Sequence, residues 1–418
     1  CGRPSRRRGR PRTRAVTDPS EPSISFTRPP SGLPAVQDAV EEAGAVGFVH
    51  VGQQRDPDRR YLTRLDAPDR ETAVVFLLGD KDHEPEAVYC VPSDVVAEVA
   101  AFERNRDDGI GRRVAGRTPT TAVGQQVVRH LADRFGEATG TLLVPRTIPH
   151  DTAVFLQQAG YELQSTPVIT TARATKTPAE RDCLRAAQEA ATEGMGRAEA
   201  VLAASEPADG GLALDGRPLT AEGLRRRIDA KLASVGVPSA ASTKVDASTV
   251  AADRLPAGEP VRIRVAPHGP YGYRGHLTRT FVVDSEGGWE RRAFIAAEAG
   301  LRAAQRYIDP GVDVATVERE AVAEVGAYGF AVTSDDETTE ARAVGTVHGL
   351  GLSAHEPPAR GSESELRPGS VIAVETGVVD PQRGSVRIGT MVSVSEEGAE
   401  TLADYPFSLS PVDRVDAD

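Results

Sequence analysis

The stretch that decides the fold is VRIRVAPHGPYGYRGHLTRTFVV, Val261–Val283. Both flanks alternate β-branched with polar residues, and Pro267–Gly275 between them is a cluster of glycine, proline and aromatic residues. A period of two marks half-buried strands and a Gly/Pro cluster marks their connection, so the segment predicts a β-hairpin. LPAGEP, Leu255–Pro260, is a turn that feeds the first strand.

The chain around it has 418 residues, enough for two domains that each bury a core. Hydrophobic residues make up 39% and charged residues 26%, with a net charge of -12, which describes a globular body with an acidic surface. Of 49 basic residues four are lysine (Lys81, Lys176, Lys231 and Lys244) and 45 are arginine. Low lysine, high arginine and excess acid predict a halophilic, cytoplasmic protein, with genome composition as the alternative source of the bias. An acidic body argues against non-specific nucleic-acid binding. Cys1, Cys90 and Cys183 form no CxxC, so neither a disulfide framework nor a zinc ribbon is implied, and Cys90 and Cys183 read as buried. No run of about 18 apolar residues is present, so no membrane span is expected.

Residues 1–30 are rich in Arg and Pro and predict a disordered basic tail, with a basic arm for nucleic acid or acidic partners as the alternative. The tail lacks the apolar run of a secretory signal, and its opening on Cys1 fits an upstream extension or a fragment end. From Leu33 helices and strands alternate. Strands are expected at Gly47–Val51, Ala73–Leu78, Ala87–Val91, Thr141–Val144 and Glu162–Ile169. Helices are expected at Leu33–Gly44, Ser93–Phe102 with a Ser cap, Thr120–Phe135 and His150–Gly160. This predicts an α/β N-terminal domain over residues 31–170. A second domain over 176–418 opens on Thr177-Pro178-Ala179-Glu180, a cap, a first-turn proline and an acid at the third position. Helices follow at Thr220–Val235, Gly288–Ile308 and Asp313–Gly326, with a loop at Asp209–Arg217 and mostly strand elsewhere. Trp289, Tyr307 and Phe330 are expected in the core.

Two later stretches complete the pattern: VHGLGLSAHEPP, Val347–Pro358, and VIAVETG followed by GSVRIGTMVSVSEEG, within Val371–Gly398. In this order, behind a hairpin ending in TRTF (Thr278–Phe281), they resemble the pita-bread (M24) peptidases: Xaa-Pro aminopeptidase, prolidase, methionine aminopeptidase and the metal-free creatinase. RYLTRLDAPDRETAVVFLL, Arg60–Leu78, is similar to the N-terminal domain of prolidase and creatinase. The resemblance runs over about residues 31–405. It implies an α/β N-terminal domain of creatinase/prolidase type that shapes the cleft and builds a dimer, followed by an α+β pita-bread domain of catalytic type.

The resemblance also implies a site. Such peptidases hold two divalent ions on two Asp, one His and two Glu, and the ions activate a shared water. The His falls on His348 and the first Glu on Glu375. The first Asp position falls on Arg264 if the hairpin carries one extra residue, and on Val265 otherwise. The second Asp falls on His276 and the second Glu on Gly389, so Arg264, His276 and Gly389 stand at substituted ligand positions. The family's upstream substrate-binding His has no counterpart in VDASTVAADRLPAG, Val245–Gly258. A guanidinium stays protonated, and like unit charges about 4 Å apart repel by about 4 kcal/mol at an effective dielectric near 20.

Three arrangements remain open. Arg264 pairs with Glu375 and fills the metal position with a side-chain cation. Alternatively His276, His348 and Glu375 hold at most one divalent ion, Mn, Co or Zn. In the third, His348 and His355, seven apart, act without metal as general base and orienting group, as the likeness to creatinase implies. Arg279 matches an Arg that the family keeps near its site and is, with His355, a candidate for substrate contact. Tyr271 and Tyr273 either line the cleft or shape the turn. The function implied is Xaa-Pro aminopeptidase- or dipeptidase-like hydrolysis by ancestry. The alternatives are a non-catalytic protein that binds a peptide or small molecule, or a metal-independent hydrolase. A homodimer is expected, with neither nucleic acid nor membrane as partner.

Overall fold

A computed structural model describes residues 24–412 apart from 54, 66–69, 80, 82, 104–107, 137–138, 238–242, 248–253 and 333–339. Six strands build the first sheet: β1 (Gly47–Gly52), β2 (Thr72–Leu77), β3 (Glu86–Pro92), β4 (Gly111–Arg117), β5 (Thr141–Val144) and β6 (Glu162–Ser165), in the order β4-β3-β2-β1-β5-β6. Its helices are α1 (Leu33–Glu42), α2 (Pro57–Thr63), α3 (Val96–Glu103), α4 (Val123–Phe135), α5 (His150–Gln158) and α6 (Val168–Ala174). Phe48, Val74, Phe76 and Tyr89 pack with Leu33 and Val36 of α1 on one face. Val49, Val75 and Leu142 pack with Val127, Leu131 and Leu156 of α4 and α5 on the other. All six residues of β2 are buried, as a sheet covered on both faces requires.

Several sequence expectations are corrected here. The segment Glu162–Ile169 is not one strand: it stops at Ser165, and Val168 begins α6 just after Pro167. Ser93 opens a short 3-10 turn instead of capping α3, and its hydroxyl donates to the Arg117 carbonyl. Of the tail, residues 1–23 lie outside the described residues, but 24–30 are ordered against the body. Ile24 is buried, the Thr27 carbonyl accepts from Cys183 Sγ, and the Pro30 carbonyl accepts from Arg64 Nε. Cys90 and Cys183 are buried, and burial pushes both thiols up to about 12.

The second domain opens on α7 (Pro178–Ala203), whose Thr177 and Glu180 form the expected capping box. The predicted loop at Asp209–Arg217 instead belongs to a small sheet of β7 (Glu206–Ala208), β8 (Gly211–Leu214) and β9 (Arg217–Pro218). Then come α8 (Ala221–Ser234), β10 (Lys244–Ala247), β11 (Val261–Val265), β12 (Leu277–Phe281), α9 (Trp289–Tyr307), α10 (Val314–Gly326), β13 (Arg342–Gly349), β14 (Val371–Asp380), β15 (Gly384–Ser395) and β16 (Gly398–Thr401). The large sheet is antiparallel in the order β10-β11-β12-β15-β14-β13, with β16 beside β15. Val261, Ile263, Val265, Leu277 and Phe281 pack with α7 and α8, while Ile372, Val374, Ile388 and Val392 pack with α9 and α10. Gly300 lets the second pair close up, since a Cβ there would lie 2.5 Å from Val325 Cγ2. Phe330 is core as expected, but Tyr307, at the end of α9, is 43% exposed.

Buried polar contacts tie the two domains together around the cleft. Arg64, in the left-handed turn that ends α2, donates to Glu180 Oε1 and to the Tyr273 hydroxyl, each at 2.7 Å. Arg173 of α6 pairs with Asp58 and with Glu356, and Lys176 Nζ lies 3.3 Å from Glu356 Oε2. The segment that follows His355 is thus gripped from the connection between the domains, which Asp58 of α2 holds in turn.

Candidate functional site

The pairing register lays one row of residues across six strands. Lys244, Arg264, Thr278, Gly389, Glu375 and Thr346 stand each opposite the next. Opposite residues in antiparallel pairs share a face of the sheet. The helices cover the other face, because Ile263, Val265 and Leu277, one position along, are buried among them. Residues two positions along return to the open face. His276 follows from Thr278 in this way, and His348 from Thr346. The hairpin's continued pairing, His268 with Arg274, puts those two there as well.

Glu375 is the carboxylate of this row. Its Oε2 accepts from Thr278 Oγ1 and its Oε1 from Arg387 Nη1, both at 2.9 Å. The expected pair of Arg264 with Glu375 is therefore corrected: Arg387 takes that place. Arg264 on β11 is three strand spacings, about 14 Å of backbone, from Glu375, whereas Arg387 is on the adjacent strand, two residues from Gly389. Burial pushes the Glu375 carboxyl up, but His276, Arg387 and Thr278 outweigh it and hold the group below the usual carboxylate range. Burial also drives His276 down to about 4, so that imidazole is neutral near neutral pH. Arg387 and Thr278 are then the groups that keep Glu375 ionised.

His276 is fixed from behind: Gln188 of α7 accepts from its backbone N–H and donates to its carbonyl. Its Nε2 lies 3.8 Å from Glu375 Oε2 and has no hydrogen-bond partner among the described residues. A Cβ on Gly389 would fall 3.3 Å from this nitrogen and 3.2 Å from the Glu375 side chain. His348 is buried, with Nδ1 at 3.0 Å from the Gly349 carbonyl. A carbonyl only accepts, so Nδ1 carries the proton and Nε2 keeps its lone pair. Burial lowers the pKa of His348 below its ordinary value. The exposed His355 ring lies 4.2 Å from that of His348, and the His276 ring stands edge-on to His348 at 6.4 Å.

The structure thus gathers His276, His348, His355 and Glu375, but it sets Arg279 apart. Arg279 is 1% exposed on the helix-covered face, donates to the carbonyls of Thr278, Gly389, Tyr405 and Pro406, and lies over the Tyr405 and Phe407 rings. The expectation that it contacts substrate is corrected to a framework role. Tyr273 is buried, with its hydroxyl on Arg64 and Glu180, so it anchors the turn. Sequence reasoning missed Arg387, Thr278 and Gln188. Arg387 was signalled by its place in VRIG, on the same strand face as Gly389.

Comparison with known proteins places this geometry in a family. The model of metallopeptidase family M24 matches residues 182–396, just over half of the chain, and the chain belongs to that family. A stretch of 147 residues is 31% identical to a probable dipeptidase PepE of Mycobacterium bovis, covering 34% of this chain and 36% of that protein. Another, of 136 residues, is 32% identical to the Xaa-Pro dipeptidase of Pyrococcus furiosus, covering 31% and 36%. The matched sequence thus spans about a third of the length of these curated relatives. Over the whole fold, the crystal structure of dipeptidase PepE from Mycobacterium ulcerans superposes with a TM-score of 0.68 at 24% identity, covering 90% of this chain and 96% of that one. The N-terminal α/β domain and the C-terminal pita-bread domain are thereby those of the prolidase-like proteins.

The family implies divalent metal, and the residues present do not fit a dinuclear centre. Among the described residues no three His, Cys, Asp or Glu side chains are grouped so as to hold an ion. Both oxygens of Glu375 are already engaged, one of them by a permanent cation. Arg264 adds a second permanent cation on the same face.

Proposed function

We propose that this M24 protein uses its cleft to bind a peptide or small molecule without a dinuclear metal centre. In this reading the metal-dependent cleavage next to proline, the activity named for its Xaa-Pro dipeptidase relatives, has been lost. Arg264, His276 and Gly389 then occupy the family's ligand positions. The observation that carries the reading is Glu375, bonded to Arg387 and Thr278 rather than left open toward an ion. A cavity of about 520 Å³ borders Arg387, but it lies between α10 and the edge strand β13, lined by Glu318, Val322, Gly345 and Arg360, and includes none of His276, His348, His355 and Glu375, so it is not the ligand room of this reading. The test is metal content and turnover together. Protein equilibrated with Mn, Co or Zn is expected to retain less than one equivalent per chain and to leave Xaa-Pro dipeptides uncleaved. Two equivalents with dipeptide hydrolysis would overturn the proposal.

A second reading, metal-independent hydrolysis, is favoured by the contact between His348 and His355. His348 holds Nε2 as a free base, and its partner ring opens to solvent. In this reading His348 takes a proton from the attacking water as the water's oxygen bonds to the carbonyl carbon, then gives it to the leaving amine as the C–N bond breaks, while His355 orients the His348 ring. Hydrolysis that survives chelation and disappears in His348→Gln would select it. The same proposal takes the protein to be cytoplasmic and a homodimer; sedimentation in concentrated salt tests the dimer.

A further inference from the structure

The open face of the hairpin carries more positive charge than its acids neutralise. Arg262 and Arg264 sit two apart on β11 and share that face. Arg262 stands opposite Asp246 and donates to it at 2.7 Å. Arg264 stands between Lys244 and Thr278, a like charge on one side and a hydroxyl on the other. A like charge directly opposite is destabilising in a sheet. The Arg264 Nε is buried without a hydrogen-bond partner, as are His268 Nε2 and His276 Nε2 on the same face.

Arg274 adds a further cation. Its Nε donates to the Leu352 carbonyl, and no carboxylate lies within ion-pair distance of it among the described residues. Burial lowers Arg274 below its ordinary value, and the charges of Arg264 and Arg60 add to this against the attraction of Glu356. The nearby acids are already committed, Glu375 to Arg387 and Glu356 to Arg173 and Lys176. A buried guanidinium nitrogen without an acceptor, beside a second guanidinium with no carboxylate partner, is a usual making of an oxyanion site, and each neutral imidazole joins it in the tautomer that carries the proton on Nε2.

We propose that Arg264 and Arg274, with Lys244 at the rim and the imidazoles of His268 and His276 beside them, bind an oxyanion group of the ligand, a carboxylate or a phosphate. In the alignment with one extra hairpin residue, Arg264 puts a cation where the family has its first Asp, which turns the cleft toward anions. The inference rests on the metal-free reading of the cleft, and it names the class of ligand.

The experiment is calorimetric titration of the full chain, freed of metal by chelation and dialysis, at constant ionic strength. The probes are inorganic phosphate, glycylproline with its free carboxylate, and glycylproline amide. Saturable binding of phosphate or of glycylproline, but not of the amide, is expected, and which of the two binds identifies the oxyanion. Arg264→Gln is expected to weaken that binding at least tenfold, Arg264→Lys by less, and Arg262→Gln, whose parent residue is neutralised by Asp246, hardly at all. Circular dichroism checks that each variant is folded. If Arg264→Gln does not fold, Lys244→Gln at the exposed rim is expected to weaken binding severalfold. No saturable binding, equal binding of the amide, or an Arg264→Gln or Lys244→Gln variant that binds like the parent would overturn the inference. Metal content is measured on the same preparation before chelation. Two ions per chain would sink the metal-free reading, whereas failed titration of metal-free protein sinks the anion site alone.

Discussion

Replacing Arg64 by Met tests whether the two domains are tied by the buried pair that the structure places between them. Arg64 and Glu180 have side chains only 1% and 3% exposed, and their closest atoms are 2.7 Å apart. Arg64 also donates to Tyr273 and to the Pro30 carbonyl, so its loss removes three contacts. Removing one partner of a buried pair costs about 3–5 kcal/mol, because the other charge stays behind undersolvated. Glu180 keeps part of its compensation, since its Oε2 still accepts from the Thr177 N–H and hydroxyl. The expected loss is therefore at the lower end, about 3 kcal/mol. At an unfolding entropy of about 2.1 cal/mol/K per residue, 418 residues give about 0.9 kcal/mol/K, so the melting point should fall by about 3–4 °C if the chain melts as one unit. Glu180→Gln is the right second change, because Gln at the third helical position still serves the capping box and isolates the ion pair from the cap. Denaturant unfolding of both single variants and the double should give a coupling of about 2 kcal/mol or more. Arg64→Met within about 1 kcal/mol of the parent, or strict additivity with Glu180→Gln, would refute the reasoning.

Three further outcomes follow from the same coordinates. Arg387→Met leaves Glu375 buried without its cation and should cost about 1–3 kcal/mol near neutral pH. It should also reverse a pH slope. In the parent the depressed carboxyl gives stability that is lost as pH falls through its folded pKa, whereas in the variant burial raises that pKa and acid relieves the strain; parallel urea midpoints across acid pH would count against this. His268 is lowered from 6.5 to about 4 by burial and by Arg274, Arg60 and Arg55, so its contribution is present above the unfolded value and lost as pH falls toward 4. The full shift corresponds to about 3 kcal/mol, which partial exposure reduces to about 1–2, and His268→Gln should flatten that part of the stability curve. Gly300→Ala gains about 1 kcal/mol of helix propensity but drives a Cβ to 2.5 Å from Val325 Cγ2, so overpacking of about 1–3 kcal/mol should win or cancel it; a raised melting point would show that the helix pair is looser than this.

How far the sequence could be read depended on the range of each interaction. The hairpin was legible because period-two alternation and a Gly/Pro turn are local, and its strands fall at Val261–Val265 and Leu277–Phe281. The same holds for the α7 cap, where Thr177 and Glu180 are three residues apart. The polar β4, GRRVAGR, gave no signal because it is an edge strand with no fully buried position. The meeting of His348 with His355 was legible through the family motif, not through any local rule. The partner of Glu375 was not legible, because it depends on which strand lies next to β14.

The two arginines of β11 make the same point at closer range. Arg262 and Arg264 are the same residue type, on the same strand and the same face, and local pattern gives them identical prospects. What separates them is β10, whose Asp246 stands opposite one and whose Lys244 stands opposite the other. That strand is the four residues KVDA, too short and too polar to be read as a strand in advance. Once its register is known, one arginine has its carboxylate within the chain, while the other faces the cleft beside Arg274 with its Nε unmatched. A single edge strand thus decides which of two equivalent cations is structural and which is left for a ligand.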